Sequence, residues 1–135
     1  KILGGIHILA AEDNVLNAEI LTEILAIDHI TCDICENGRS VLGAFEKSEP
    51  GKYQLILMDI QMPEMNGYEA ARAIRNSNHP LAKTIPIVAM TANAFVDDIQ
   101  EALRAGMNAH VAKPVDIEKL EETLERVLSE MPKKS

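Results

Sequence analysis

Tryptophan is absent, and aromatic residues make up only 3% of the 135-residue chain. No row of rings is therefore available for stacking bases, and a net charge of -8 repels a phosphate backbone, so direct nucleic-acid binding is excluded. No apolar run reaches the roughly 18 residues that a membrane-spanning helix needs, and the N-terminus has no charged, apolar, cleavable leader. The expectation is one soluble, cytosolic domain over residues 1–135, its core about 6–131, without membrane contact of its own. Cysteine is scarce too. Cys32 and Cys35 have redox spacing, yet Ile30, Cys32 and Ile34 alternate with Thr31, Asp33 and Cys35 as on a strand, which points the two thiols to opposite faces. With no second Cys or His pair at ligand spacing, structural zinc is a poor match as well.

What is present is a set of short apolar runs, each ending in polar residues. Leu55 to Met58 runs straight into Asp59, and Pro63 and Asn66-Gly67 follow as turn formers. Such a run fits a strand covered on both faces, with Asp59 at its C-terminal end. In chain order the pattern predicts a strand over 6–11, a helix over 15–27, a strand over 30–34, a turn at Asn37-Gly38 and a helix over 39–48. It continues with a strand over 53–59, a helix over 68–75, a strand over 87–90 ended by Thr91, and a helix with Val96, Ile99 and Leu103 inward that stops at Gly106. A strand over 109–112 and a helix capped by Asp116, with Ile117, Leu120, Leu124, Val127, Leu128 and Met131 at helical spacing, complete the chain. Strict alternation implies an α/β fold with a parallel sheet and helices on both faces. In the first helix Leu16, Ile20, Ile24 and Ile27 share one face while Leu21 and Leu25 project well away from it. This is more apolar surface than one core contact needs, so the helix is either broadly buried or offers Leu21 and Leu25 as a partner-docking face.

Glu12, Asp13, Asp59, Thr91 and Lys113 all stand at C-terminal ends of four strands, which share one rim in a doubly wound sheet. Each alone has an ordinary structural explanation, as a cap, a loop acid or a surface lysine; separate accidents do not explain five at equivalent positions. Three neighbouring carboxylates repel one another unless a divalent cation neutralises them, and Mg²⁺ suits hard oxygen ligands, with Mn²⁺ as its substitute. Asp59 can then attack phosphorus to give an acyl phosphate, with Lys113 and the Thr91 hydroxyl on the phosphoryl oxygens.

These residues resemble the receiver domain of two-component signalling. The likeness rests on Ala11-Glu12-Asp13-Asn14, Leu57-Met58-Asp59-Ile60-Gln61-Met62-Pro63 with Gly67, Thr91-Ala92-Asn93-Ala94, Ala105-Gly106-Met107 and Lys113-Pro114. The resemblance implies a flavodoxin-like five-stranded sheet of order 2-1-3-4-5, doubly wound with five helices. It implies phosphoryl transfer from phosphohistidine to Asp59, with metal held by Asp13, Asp59 and the Gln61 backbone carbonyl, and Glu12 acting through water. It also implies a cis Lys113-Pro114 bond and a switch in which Thr91 moves toward the phosphoryl group. His110 stands at the switch position usually held by an aromatic. His7, His29 and His79 read as structural or surface residues.

The wording is most similar to receivers of hybrid sensor histidine kinases, which implies a kinase core, in cis where the two share a chain, and a histidine-containing phosphotransfer domain as partners. A start at Lys1 fits a segment of a longer parent, expected to be a histidine kinase anchored in the inner membrane. The alternatives are a stand-alone response regulator and an aspartate-nucleophile phosphatase, though the latter's second acid is replaced by Gln61. A flavin site is opposed by Glu12 and Asp13 where a cofactor phosphate would sit.

Overall fold

The computed structural model describes residues 4–62, 64–92, 96–113 and 115–129, and for 96–98 the backbone alone. The expected pieces at Pro63, Asn93, Ala94 and Met131, the inward side chain of Val96, and the cis bond to Pro114 lie outside the described residues. Five strands alternate with five helices: β1 (His7–Ala11), α1 (Val15–Ile27), β2 (Thr31–Cys35), α2 (Gly38–Lys47), β3 (Leu55–Asp59), α3 (Gly67–Arg75), β4 (Ile87–Thr91), α4 (Val96–Arg104), β5 (Ala109–Ala112) and α5 (Ile117–Ser129). All strand pairs are parallel, in the order β2-β1-β3-β4-β5 that the resemblance implies. β3 is buried at every position because its alternate residues feed two cores. Ile56 and Met58 join Val41, Phe45, Ala71 and Ile74 on one face, while Leu55 and Leu57 join Leu21, Leu25, Leu120 and Leu124 on the other.

Cys32 packs on the second of these cores and Cys35 on the first, so the two thiols do face apart. Burial pushes the Cys32 thiol up to about 12, with the Asp33 and Cys35 charges adding to it, and burial followed by Asp33 raises Cys35. Neither is poised as a thiolate.

α1 turns the Leu21–Leu25 side to the core, and from the other stripe Ile24 packs partly against it. Leu21 and Leu25 are 3% and 1% exposed, whereas Leu16 and Ile27 are 64% and 66% exposed. Apolar residues run almost all round this helix, so spacing does not choose the side; packing on the sheet does, with Leu21 and Leu25 buried among Ile8, Ala10 and Ile30. Leu21 and Leu25 are core residues and not a docking face. In α4 the same correction applies to Leu103, which is exposed, while the smaller Ala102, and Ala105 just past the helix end, are buried.

Both Asn-Gly pairs also differ from the turns expected. Asn37 and Asn66 are helix N-caps, accepting hydrogen bonds from the Ser40 and Glu69 amides at 2.8 and 2.9 Å, and Glu69 returns a bond from the Asn66 amide. Gly38 and Gly67 are the first helical residues. A Cβ on Gly67 would collide with the Asp59 carbonyl oxygen, and one on Gly38 with the Met65 carbonyl. Gly106 does take the expected left-handed cap, at φ +96°.

Candidate functional site

The order in which strands are added reverses between β1 and β3, all of them remaining parallel, and there the crevice at the sheet's C-terminal rim opens. Ala11 is in register with Met58, so Glu12 and Asp59 come level as the next residues of adjacent strands. Both are buried. The Asn14 amide donates to Glu12 Oε2 at 3.3 Å and the Gln61 amide to Asp59 Oδ1 at 3.2 Å, which fixes the two carboxylates. Gly67 holds the loop after Asp59 tight by donating its amide to the Ile60 carbonyl at 2.9 Å.

Lys113 follows β5 and reaches across β4. Its amide donates to the Thr91 carbonyl at 2.8 Å, and its Nζ lies 2.9 Å from both Glu12 Oε1 and Asp59 Oδ2. Burial pulls the ammonium down, yet Glu12 and Asp59 outweigh it and hold the group above the ordinary lysine range. The Asp59 carboxyl is pushed up to about 6, chiefly by burial; Lys113 and the Gln61 amide oppose the rise, and the Glu12 charge adds to it.

Glu12, Asp13 and Asp59 each place a carboxylate oxygen within 4.8 Å of the others'. Three carboxylates face one ammonium, an imbalance that a divalent cation with oxygen ligands would correct. The donor set therefore fits Mg²⁺. The cavity they form is about 290 Å³, and Gln61 also lines it, as expected of a residue offering its carbonyl. Asn17 lines it as well. Sequence reading missed Asn17, because nothing distinguishes it from any polar residue in a first helical turn.

Thr91 ends β4 on the same rim, one step past the residue in register with Asp59. It does not line the acidic cavity. It shares with His110, Tyr68 and Ile60 a small recess on the α4 side of the sheet. The expected switch pair is thus brought together next to the site, not within it.

Two further groups were not legible. His7 shows no acid partner in sequence, but its Nε2 lies 3.2 Å from Asp33 Oδ1, and Tyr53 donates to Asp33 Oδ2 at 2.7 Å. Arg75 donates from its guanidinium to the Gly106, Ala82 and Ile85 carbonyls and to Asn108 Oδ1, tying α3 to the loop before β4 and to the α4–β5 turn.

The chain matches the family model of the response regulator receiver domain over residues 8–125. It is 42% identical over 117 residues, 80% of its length, to the hybrid signal transduction histidine kinase B of Dictyostelium discoideum. It spans only 6% of that kinase. Among solved structures, the receiver domain of sensor histidine kinase PA1611 from Pseudomonas aeruginosa, with magnesium coordinated in its active-site cleft, superposes with a TM-score of 0.82 at 32% identity, covering 93% of this chain and 99% of that one. The complex of the Saccharomyces cerevisiae histidine phosphotransfer protein Ypd1 with the receiver domain of its downstream response regulator Ssk1 matches at TM-score 0.81 and 30% identity, covering 96% and 92%.

Proposed function

The chain belongs to the response regulator receiver domain family of two-component signalling, and from that premise we propose that Asp59 accepts a phosphoryl group from phosphohistidine in a phosphorelay. A hybrid histidine kinase is the proposed parent, its membrane anchor lying outside this domain, and a histidine-containing phosphotransfer domain is the proposed partner. The single observation that carries the reading is the Lys113 ammonium bridging Asp59 and Glu12 at 2.9 Å beside Asp13.

Asp59 is buried and lines the cavity together with Lys113, so a phosphoryl group seated there lies against both the carboxylate and the ammonium. One Asp59 oxygen forms the new O–P bond as the P–N bond breaks; the bonding pair returns to the donor's imidazole nitrogen. Lys113 stays beside the oxygens on which charge accumulates, and the Gln61 amide keeps the carboxylate from rotating away. Glu12, Asp13, Asp59 and the Gln61 carbonyl would hold Mg²⁺ or Mn²⁺, which when bound supplies Lewis-acid neutralisation of the phosphoryl oxygens. Thr91 then turns its hydroxyl toward the phosphoryl group, and His110 fills the recess that Thr91 leaves, which carries the signal toward α4. Val15, Leu16 and Ile20, exposed on the first turns of α1, offer the partner an apolar surface in place of Leu21 and Leu25.

Incubation with Mg²⁺ and a small phosphodonor, read by intact mass, tests the reading. The native chain gains one phosphoryl group and Asp59→Asn gains none; equal labelling of both removes Asp59 as acceptor.

A further inference from the structure

Beside the acidic cavity lies a larger groove of about 750 Å³ between α1 and the end of β2 with the start of α2. Glu12 and Asp13 line both, so the two concavities adjoin across these carboxylates. The groove's apolar part is Val15, Ala18, Ile34 and Cys35, beside β2, which stands at the sheet's edge among the described residues. Glu19, Glu23 and Glu36 stand along it, exposed, and none of them has an ion-pair partner among the described residues. The other flank of α1 is different. There a concavity of about 310 Å³ is lined by Ile20, Leu21, Ile24, Met90 and Val115, and its charged members, Glu12 and Lys113, already pair with each other.

Two grooves of unlike chemistry thus meet at Glu12, beside the acidic cavity that holds Asp59, one apolar and one carrying uncompensated carboxylates over an apolar floor. We propose that the groove between α1 and the β2–α2 turn receives a lysine- or arginine-bearing surface of the phosphohistidine donor, next to its histidine, and so selects and orients the donor by charge. This rests on the reading of Asp59 as phosphoacceptor. Carboxylates on an open rim act mainly on encounter rate and on rejecting acidic partners, and salt screens them.

The probe is an 18-residue histidine peptide, phosphorylated on its imidazole with phosphoramidate, made with lysines or with glutamines flanking the histidine. Transfer to Asp59 is followed by intact mass at low and high salt, with phosphoramidate itself as the groove-independent donor. The lysine peptide is expected to transfer about tenfold faster at low salt, to lose that advantage at high salt, and to lose it in Glu19→Lys/Glu23→Lys, whose phosphoramidate labelling stays unchanged. Equal rates for the two peptides, no transfer from either while phosphoramidate still labels Asp59, or a lysine preference that survives the charge reversal each overturn the groove's role. Sedimentation showing a dimer sealed across α1 and α2 does so too. Failure of phosphoramidate to label Asp59 in the unaltered chain would instead overturn the underlying reading.

Discussion

Asp59 keeps its proton to about pH 6, because burial penalises the charged form more than Lys113 and the Gln61 amide favour it. The folded chain therefore binds that proton more tightly than the unfolded chain does. Metal-free stability falls as pH rises from the ordinary aspartate range through about 6 and levels off above it. A cation must displace the proton, so Mg²⁺ affinity, measured by calorimetry, should weaken about tenfold per unit below pH 6; an affinity flat from pH 5 to 7.5 would contradict this. Asp59→Asn should raise the metal-free melting temperature at pH 7.5 by a few degrees and abolish the Mg²⁺-dependent shift. Asp33 has the opposite sign: the Tyr53 hydroxyl, then His7, hold its carboxyl below the usual range, so its stabilisation is present above that range and lost on acidification. Tyr53→Phe should flatten that acid limb in melts run from pH 5 to 2. Asp59 and Lys113 were legible because each is a charged residue ending an apolar run. The His7–Asp33 pair was not, since it forms across neighbouring strands and involves residues that look ordinary in sequence.

At the level of elements, the extent of α1 was legible to the residue and its inward side not at all. Thirteen residues with apolar side chains nearly all round satisfy two faces equally, and only packing on β1 and β2 separates them. The two faces predict different costs. Leu25→Asp buries a charge among Leu21, Ile30 and Leu124 and should cost roughly 4 kcal/mol or more, seen as collapse of the urea midpoint. Leu16→Asp, on the exposed side, should stay within about 0.5 kcal/mol of the parent, and a similar loss in both would refute the assignment. The loop after Asp59 offers a second case. Gly67 and Gly38 looked like turn residues because Asn-Gly is a turn former; their glycine is required by backbone approaching within Cβ distance, which no single-chain pattern records. Gly67→Ala should cost about 1–3 kcal/mol and slow phosphoryl labelling by displacing the Asp59 backbone, whereas Gly43→Ala, in open space, should not slow it.

For the molecule as a whole, alternation of strands and helices decides where the chemistry gathers. Parallel strands joined by right-handed crossovers put all their C-terminal ends on one side, and the reversal between β1 and β3 leaves the gap into which Glu12, Asp13 and Asp59 project. That much is readable from apolar runs ending in acids. The recess shared by Thr91, His110 and Tyr68 is not, because it depends on how α4 seats against β4 and β5. The central claim is that the convergent acids make Asp59 the phosphoacceptor. Its most direct test is borohydride reduction of the chain after Mg²⁺-dependent labelling, followed by peptide sequencing in the mass spectrometer. Conversion of Asp59 to homoserine, dependent on Lys113 and suppressed by chelator, is the predicted result; homoserine at another aspartate, or a label resistant to borohydride, would contradict the account.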